Sequence, residues 1–549
     1  MPEHSNRFGA SLIPGAGEGG RIRLATSDFM DIDGPSPGAH DRRMVGRVLS
    51  AAVVGVEAAL VRVEVDVTGG LPAFYTVGLP DSAVRESRER VRSAIKNAGF
   101  AFPNERITVN LAPADFRKEG ASFDLPIALG ILTATNVVKD PHEDTIAVVG
   151  ELALDGGIQG VRGALAVGLA CRRRGVGALL VPTDNRAEAR AVERLTVLPA
   201  QSLREAVMLL NGEIQPAPGA DETSAVVEPV DDLDFGDVGG QTHAKRALEI
   251  AAAGGHNVIL VGPPGAGKTM LARRLTSILP PLVGDEVVEV SAIWSVAGLL
   301  ATRGLLVRAR PFRAPHHTIS APGLIGGNSP PRPGEVTLAH RGVLFLDEMP
   351  EFQQHVLESL RQPLEDGRIT ISRASGTAHF PARFQLVGAA NPCRRGCPSL
   401  DACVCTPAER DRYLGRLSRP LLDRIDLQIE LPAVPPSELQ SRRVAEPSSA
   451  IRARVLEARA RQRERFRGTV TRINSEMSPR TLRRLCPVPP GAERLLELAV
   501  ERLGLSARGH DRVLRVARTI ADLAGDETVS AEHCAEALQY RGFDRRWRA

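Results

Sequence analysis

Long apolar runs are missing from this chain: no stretch of its 549 residues approaches the roughly 20 needed to cross a bilayer as a helix, so no membrane partner is expected. Aromatic residues are scarce at 4%, with 2 Trp and 3 Tyr, which argues against a base-stacking platform as the main activity. Lysine is scarcer still, supplying five of the 69 basic residues: Lys96, Lys118, Lys139, Lys245 and Lys268. Seven cysteines is an odd number, and four crowd between Cys393 and Cys405; that is no disulfide framework, and a reduced, cytoplasmic setting is expected. The N-terminus lacks the basic-then-apolar pattern of a signal peptide. Net charge is only +4, which permits a nucleic-acid partner without demanding one.

What is present is an ordinary globular balance, 43% hydrophobic and 24% charged, in a chain long enough for several domains. Residues 1–43 are rich in Gly, Pro, Ser and Asp and read as a disordered tail, either a solvated extension or a stretch upstream of a start at Met44. From 44 to 212 strand and helix patterns mix. Leu60–Val67 alternates like a strand, Asp81–Ala98 has helical spacing, Arg106–Leu111 alternates again, Phe123–Ala134 reads as a buried helix and Ala178–Val181 as a short strand. Residues 213–234 form a Pro-, Gly- and acid-rich linker, 235–435 a second α/β unit, and 436–549 a helical region. The fold class expected is α/β and multidomain.

The strongest motif runs from Val258 to Thr269. Four apolar residues make a buried strand, and Gly262, Pro263, Pro264, Gly265, Ala266, Gly267, Lys268 and Thr269 fit G-x-x-x-x-G-K-[ST]. Such a loop curls its backbone N–H groups around phosphates at a helix N-terminus; Lys268 would reach the β- and γ-phosphates and Thr269 the Mg²⁺. A second apolar strand, Val343–Leu346, ends in Asp347 and Glu348, one carboxylate to face the metal and one to polarise water. Together they point to hydrolysis of a nucleoside triphosphate, with ATP and Mg²⁺ as cofactors. Downstream, Asn391 ends the strand beginning at Phe384 and could orient the attacking water. Arg424, in Pro420–Asp426, could project into a neighbour's site. Arg508 opens a C-terminal helix that could fold over the nucleotide.

Residues 236–435 resemble the AAA+ module of the magnesium-chelatase motor subunit, through Asp237–Gln241, the two nucleotide motifs, Pro311–Thr318 and Arg412–Ser418. From Met44 onward the whole chain resembles the ComM/YifB family of magnesium-chelatase-like bacterial ATPases, with three consecutive domains matching in order. The resemblance implies sensor 1 for Asn391, an arginine finger for Arg424 and sensor 2 for Arg508, with Arg515 as an alternative for the last. It implies an AAA+ core, a helical lid, and an N-terminal domain like the Lon protease domain, whose fold is that of ribosomal protein S5 domain 2. In that domain Ser122 takes the position of Lon's nucleophile. The matching stretch Gly150–Leu165 has no lysine to act as base, and arginine stays protonated, so proteolysis is not expected.

Two insertions typical of this branch also have counterparts. One, Ser295–Gly327, carries the vicinal pair His316 and His317; such a pair invites a metal reading, but adjacent side chains diverge, and a loop role is favoured. The other is a β-hairpin from Arg368 to Phe380, which in hexameric relatives lines the pore; Arg373 then either meets DNA phosphate or is an exposed structural arginine. Cys393, Cys397, Cys403 and Cys405 give C-x₃-C-x₅-C-x-C, which fits either a structural Zn²⁺ or free thiols. Seven arginines between Ile451 and Arg467 read as a solvated helical face, with non-specific DNA contact the alternative. The resemblance as a whole implies a cytoplasmic homo-hexameric ATPase acting on single-stranded or branched DNA. Its activity would be that of a helicase promoting branch migration during recombination of incoming DNA, beside other recombination proteins. Rival readings are a chelatase-type or chaperone-like motor remodelling a protein partner, and a protein in which nucleotide merely controls assembly.

Overall fold

The computed structural model describes residues 45–139, 144–216, 233–300, 306–327, 331–373, 376–399, 402–433, 445–503 and 505–541. The tail at 1–43 and most of the linker therefore lie outside the described residues.

The first α/β unit is built on a seven-stranded sheet. Its strand order is Ala73–Val77, Arg106–Ala112, Glu57–Thr68, Gly46–Val54, Ile146–Val148, Ala178–Pro182, Thr196–Ala200. Alternation decides its inner face: Val61, Val63 and Val65 are fully buried, as are Val109 and Leu111 on the neighbouring strand. Helix Asp124–Ala134, apolar on every side, fills the space over them, and helix Ser82–Asn97 starts where the Asp81 carboxylate accepts the Val84 N–H. The sequence-based elements thus recur with shifts of one to three residues.

The second unit carries a five-stranded, all-parallel sheet in the order Phe312–Arg313, Val343–Leu346, Gln385–Ala390, Val258–Val261, Leu427–Glu430. All but the first and last strands are buried throughout, as parallel strands covered on both faces must be. The strand bearing Asn391 lies between the P-loop strand and the acidic strand. All three therefore deliver their C-terminal residues to one edge.

The helical C-terminal region packs on this unit. Helices Ser448–Arg465 and Ala507–Ala524 share one hydrophobic cluster with helix Thr242–Gly254 and the P-loop strand. The arginine-dense segment is in part the solvated face expected: Arg452, Arg461, Arg463 and Arg467 are exposed, while Arg454, Arg459 and Arg465 are half-buried, and most of them have partners. Arg452 donates to the Ser277 carbonyl, Arg454 to Glu249, Arg459 to the Ala252 carbonyl, and Arg461 to the Asp522 carbonyl. Arg465 binds Asp522, whose carboxylate is fully buried and also accepts from Arg518 (2.9 Å) and Asn474 (2.8 Å). Arg452, Arg454 and Arg459 tie the helical region to the nucleotide unit, while Arg461 and Arg465 join two helices within the helical region, a use that sequence spacing alone does not reveal. Among the described residues the Arg467 side chain pairs only with the exposed Glu464.

Candidate nucleotide site

The P-loop strand ends at Val261, and the chain then turns through Gly265 and Gly267, at φ +80° and +87° with open space where a Cβ would sit. Helix Lys268–Ile278 follows without a side-chain cap, so its first N–H groups face outward toward any phosphate. Lys268 Nζ, largely buried, donates to the carbonyls of Gly262 (2.7 Å) and Pro263 (2.9 Å) and to Asn391 Oδ1 (2.9 Å). Burial pulls its pKa below the usual lysine value, while Asp347 and Glu348 act to raise it. Thr269 Oγ1 donates to Asp347 Oδ2 at 2.8 Å, and Asp347 Oδ1 accepts the Glu348 N–H at 2.9 Å. Glu348 sits at φ +48°, a left-handed conformation uncommon outside glycine, with its carboxylate more than half exposed. The sheet thus brings five of the candidate residues, Lys268, Thr269, Asp347, Glu348 and Asn391, to a single edge.

Arg424 and Arg508 lie elsewhere. The Arg424 carbonyl accepts from the Asn257 side chain, which precedes the P-loop strand, and that strand runs roughly 13 Å before the phosphate loop begins. Arg424 is buried, bound to Glu365 and to the Pro420 carbonyl. Arg508 Nη1 lies 3.2 Å from the same Glu365. The start of the Arg508 helix thus lies at the opposite end of the sheet from the phosphate loop of the same chain. A cavity of about 590 Å³ opens there, bordered by Glu365, Arg508, Arg512 and Arg515. Arg515, the alternative to Arg508, is on this side too; burial lowers its pKa, and the nearby Asp426 carboxylate opposes that.

Three family models match in chain order: "Magnesium chelatase, subunit ChlI" over residues 234–439, "Subunit ChlI of Mg-chelatase" over 63–185, and "Magnesium chelatase, subunit ChlI C-terminal" over 445–541. The competence protein ComM of Haemophilus influenzae is 46% identical, over 91% of this chain and 97% of its own length. The protein YifB of Escherichia coli is 42% identical, over 91% and 97%. The chain belongs to the magnesium-chelatase-like ComM/YifB family. It is an AAA+ ATPase by family, for which ATP and Mg²⁺ are the cofactors. A magnesium-chelatase 38 kDa subunit of Acidiphilium rubrum is more distant, 26% identical over 54% of this chain and 85% of that subunit.

Some members of this ComM/YifB site are not obvious from its motifs. His317 Nδ1 lies 3.8 Å from Glu348 Oε2, and its ring sits edge-on to Phe352. The His316 and His317 rings do not diverge as expected but lie with centroids 4.1 Å apart. The segment Pro311–Thr318, already singled out for its resemblance, was the available signal. Tyr413 is another: burial pushes its hydroxyl up to about 12, and it bonds the Asn391 backbone. Glu365 carried no sequence signal at all.

The hairpin Arg368–Arg373/Gly376–Pro381 is present, with Ile369, Ile371, Ala378 and Phe380 buried against the core; the Arg373 side chain lies outside the described residues. In the first unit, Lys118 donates to the carbonyls of Pro113 and Phe116 (2.9 Å to the latter) and lies 4.1 Å from the Phe116 ring centre, rather than pairing with Ser122. No helix among the described residues is long and apolar enough to cross a membrane.

Proposed function

We propose that this chain is the subunit of a ring-forming ATP-driven motor that acts on DNA. The observation that supports it best is the division of the ATPase set between two ends of one sheet. Lys268, Thr269, Asp347, Glu348 and Asn391 share one edge, while Arg424 and Arg508 share Glu365 at the other. A ring closes that gap, because head-to-tail packing sets one subunit's far end against its neighbour's phosphate loop.

In this reading the free helix N-terminus and the loop N–H groups hold the phosphates, which replace the Gly262 and Pro263 carbonyls as partners of Lys268. Thr269 and Asp347 would hold Mg²⁺. Their oxygens are 2.8 Å apart, close to the roughly 2.9 Å between neighbouring corners of a Mg²⁺ octahedron, so the residues fit the ion. The ion would neutralise charge on the β- and γ-oxygens. Glu348 takes the proton of the attacking water, and Asn391 orients that water against the γ-phosphate. His317 is placed to hold the Glu348 carboxylate. Arg424 and Arg508 of the adjoining subunit leave Glu365 for the charge developing on the γ-phosphoryl group. A zinc ion at the cysteine loop would take no part in this chemistry, since four thiolates leave it no open position.

The DNA substrate rests on kinship: one relative is named a competence protein, and it matches 91% of this chain. Helicase-driven branch migration of incoming DNA in a homo-hexamer, with Arg373 of the hairpin near the strand, is the form we favour. A chelatase-like or chaperone-like motor is the second reading, favoured because all three matching family models are of a magnesium-chelatase subunit, one of them over 63–185. Against it stands the chelatase subunit's coverage of only 54% of the chain. The deciding experiment measures ATP turnover with and without single-stranded and forked DNA, beside Lys268→Ala. DNA stimulation that vanishes in the variant supports the motor. Robust turnover indifferent to DNA favours a protein-remodelling role, and no turnover sinks the enzyme reading for the isolated chain.

A further inference from the structure

The segment between the Asn391 strand and helix Pro407–Leu414 is built inside out by ordinary standards. Val404 is 79% exposed, whereas Cys403 and Cys405 on either side of it are half-buried, and Cys393 and Cys397 are buried. Among the described residues of this loop, the four sulfurs gather together. All four Sγ atoms lie within 4.8 Å of one another. A tetrahedral Zn²⁺ with Zn–S near 2.3 Å sets its sulfurs roughly 3.8 Å apart, so the group needs only a small contraction to surround the ion. Cys397 donates its backbone N–H to Cys393 Sγ at 3.4 Å, the kind of contact that steadies a thiolate ligand. Thiolates alone select zinc or iron over the oxygen-seeking Mg²⁺.

The loop also touches the nucleotide site. Gly396, at φ +68°, packs on the Pro264 ring of the phosphate loop, where an added Cβ would sit 3.0 Å from Pro264 Cγ. Asn391 begins the loop and holds Lys268, while Tyr413, beyond the cysteines, bonds the Asn391 backbone. Both ends of the loop therefore converge on the lysine and its sensor.

We infer that Cys393, Cys397, Cys403 and Cys405 bind one structural Zn²⁺, and that this ion buttresses the phosphate loop through Gly396 and Pro264. Loss of the metal releases the packing and weakens nucleotide binding, even though zinc never meets the nucleotide.

The full chain, purified without added metal or chelator, is assayed by elemental analysis, by thiol titration, and by binding of a fluorescent ATP analogue before and after a zinc chelator. One zinc per chain is expected, with the four loop thiols slow to react until the chelator is added and analogue affinity falling several-fold afterwards. Replacement by Co²⁺ is expected to give the thiolate charge-transfer and visible bands of a tetrahedral site. Cys534→Ser, outside the loop, retains the metal, whereas Cys403→Ser with Cys405→Ser loses it. Should that double variant fail to fold, the wild-type metal content and the cobalt spectrum still decide. Iron in place of zinc, or four freely reactive thiols with no metal, overturns the site. Zinc whose removal leaves nucleotide affinity unchanged overturns the buttress. Nucleotide binding with no turnover would instead count against the ATPase reading and leave the zinc result standing.

Discussion

Lys268 Nζ and the Asn391 side-chain oxygen are joined across 2.9 Å, so the phosphate loop's cation and the end of the neighbouring strand form one unit. Asn391→Ala is expected to leave ATP binding within a few-fold and to lower turnover by about a hundredfold, the usual effect of removing one oriented polar group from a transition state. Lys268→Ala should impair both. Equilibrium nucleotide binding beside steady-state turnover separates the two patterns, and equal loss of binding in both variants would deny Asn391 its role in orienting water.

Glu348→Gln keeps the shape of the site but removes the proton acceptor. Turnover should fall by on the order of 10²–10⁴, with nucleotide affinity retained. Single-turnover measurements check this, and an unchanged chemical step would assign the base elsewhere.

Arg424 is expected to act across subunits. Arg424→Ala should cost on the order of 10³ in turnover. Mixing that variant with Lys268→Ala should restore activity, because some interfaces then pair an intact lysine with an intact arginine. If the mixture stays as inactive as its components, Arg424 does not act in trans.

His340 precedes the acidic strand and is buried as the neutral ring. Its Nδ1 accepts the Arg383 N–H at 3.0 Å, which leaves the proton on Nε2, 3.4 Å from Glu289. Burial holds its pKa below the ordinary 6.5, with Glu289 opposing and Arg341 and Arg383 assisting. The unfolded chain therefore takes up the proton first as pH falls. The stability contributed by the neutral ring is present above about pH 6.5 and is lost on acidification. Thermal denaturation between about pH 7 and pH 5 should show a steeper decline for the wild type than for His340→Gln. Parallel curves would refute the assignment.

Asp522 stands between two arginines, Arg465 and Arg518, the latter 1% exposed. Asp522→Ala should destabilise the fold by about 3–5 kcal/mol, because it strands buried charge without a partner. Chemical denaturation measures this, and a loss below about 1 kcal/mol would show that water or a shifted carboxylate compensates.

Much of this molecule is legible from local pattern. The phosphate loop, the acidic strand end and the asparagine strand could be placed because each motif couples a buried strand to the residue at its end. Alternation at Val61, Val63 and Val65 marked the inner face of the first sheet for the same reason: strand geometry is local. The partners of the arginines in Ile451–Arg467 were not legible, because spacing says nothing about which carbonyls and carboxylates come to meet them.

By itself, then, the sequence determined the chemistry available: a phosphate-binding loop, a pair of carboxylates, four clustered cysteines, and one arginine before the helical region with another inside it. Tertiary structure alone decided where these groups act. Parallel strands gather their C-terminal residues at one edge, which assembles Lys268, Thr269, Asp347, Glu348 and Asn391. The same geometry sends Arg424 to the other edge, and packing of the C-terminal helices carries Arg508 to it. Side-chain type is written residue by residue; the distance between Glu365 and Arg508, 143 positions apart in the chain, is set only when the helices find their faces.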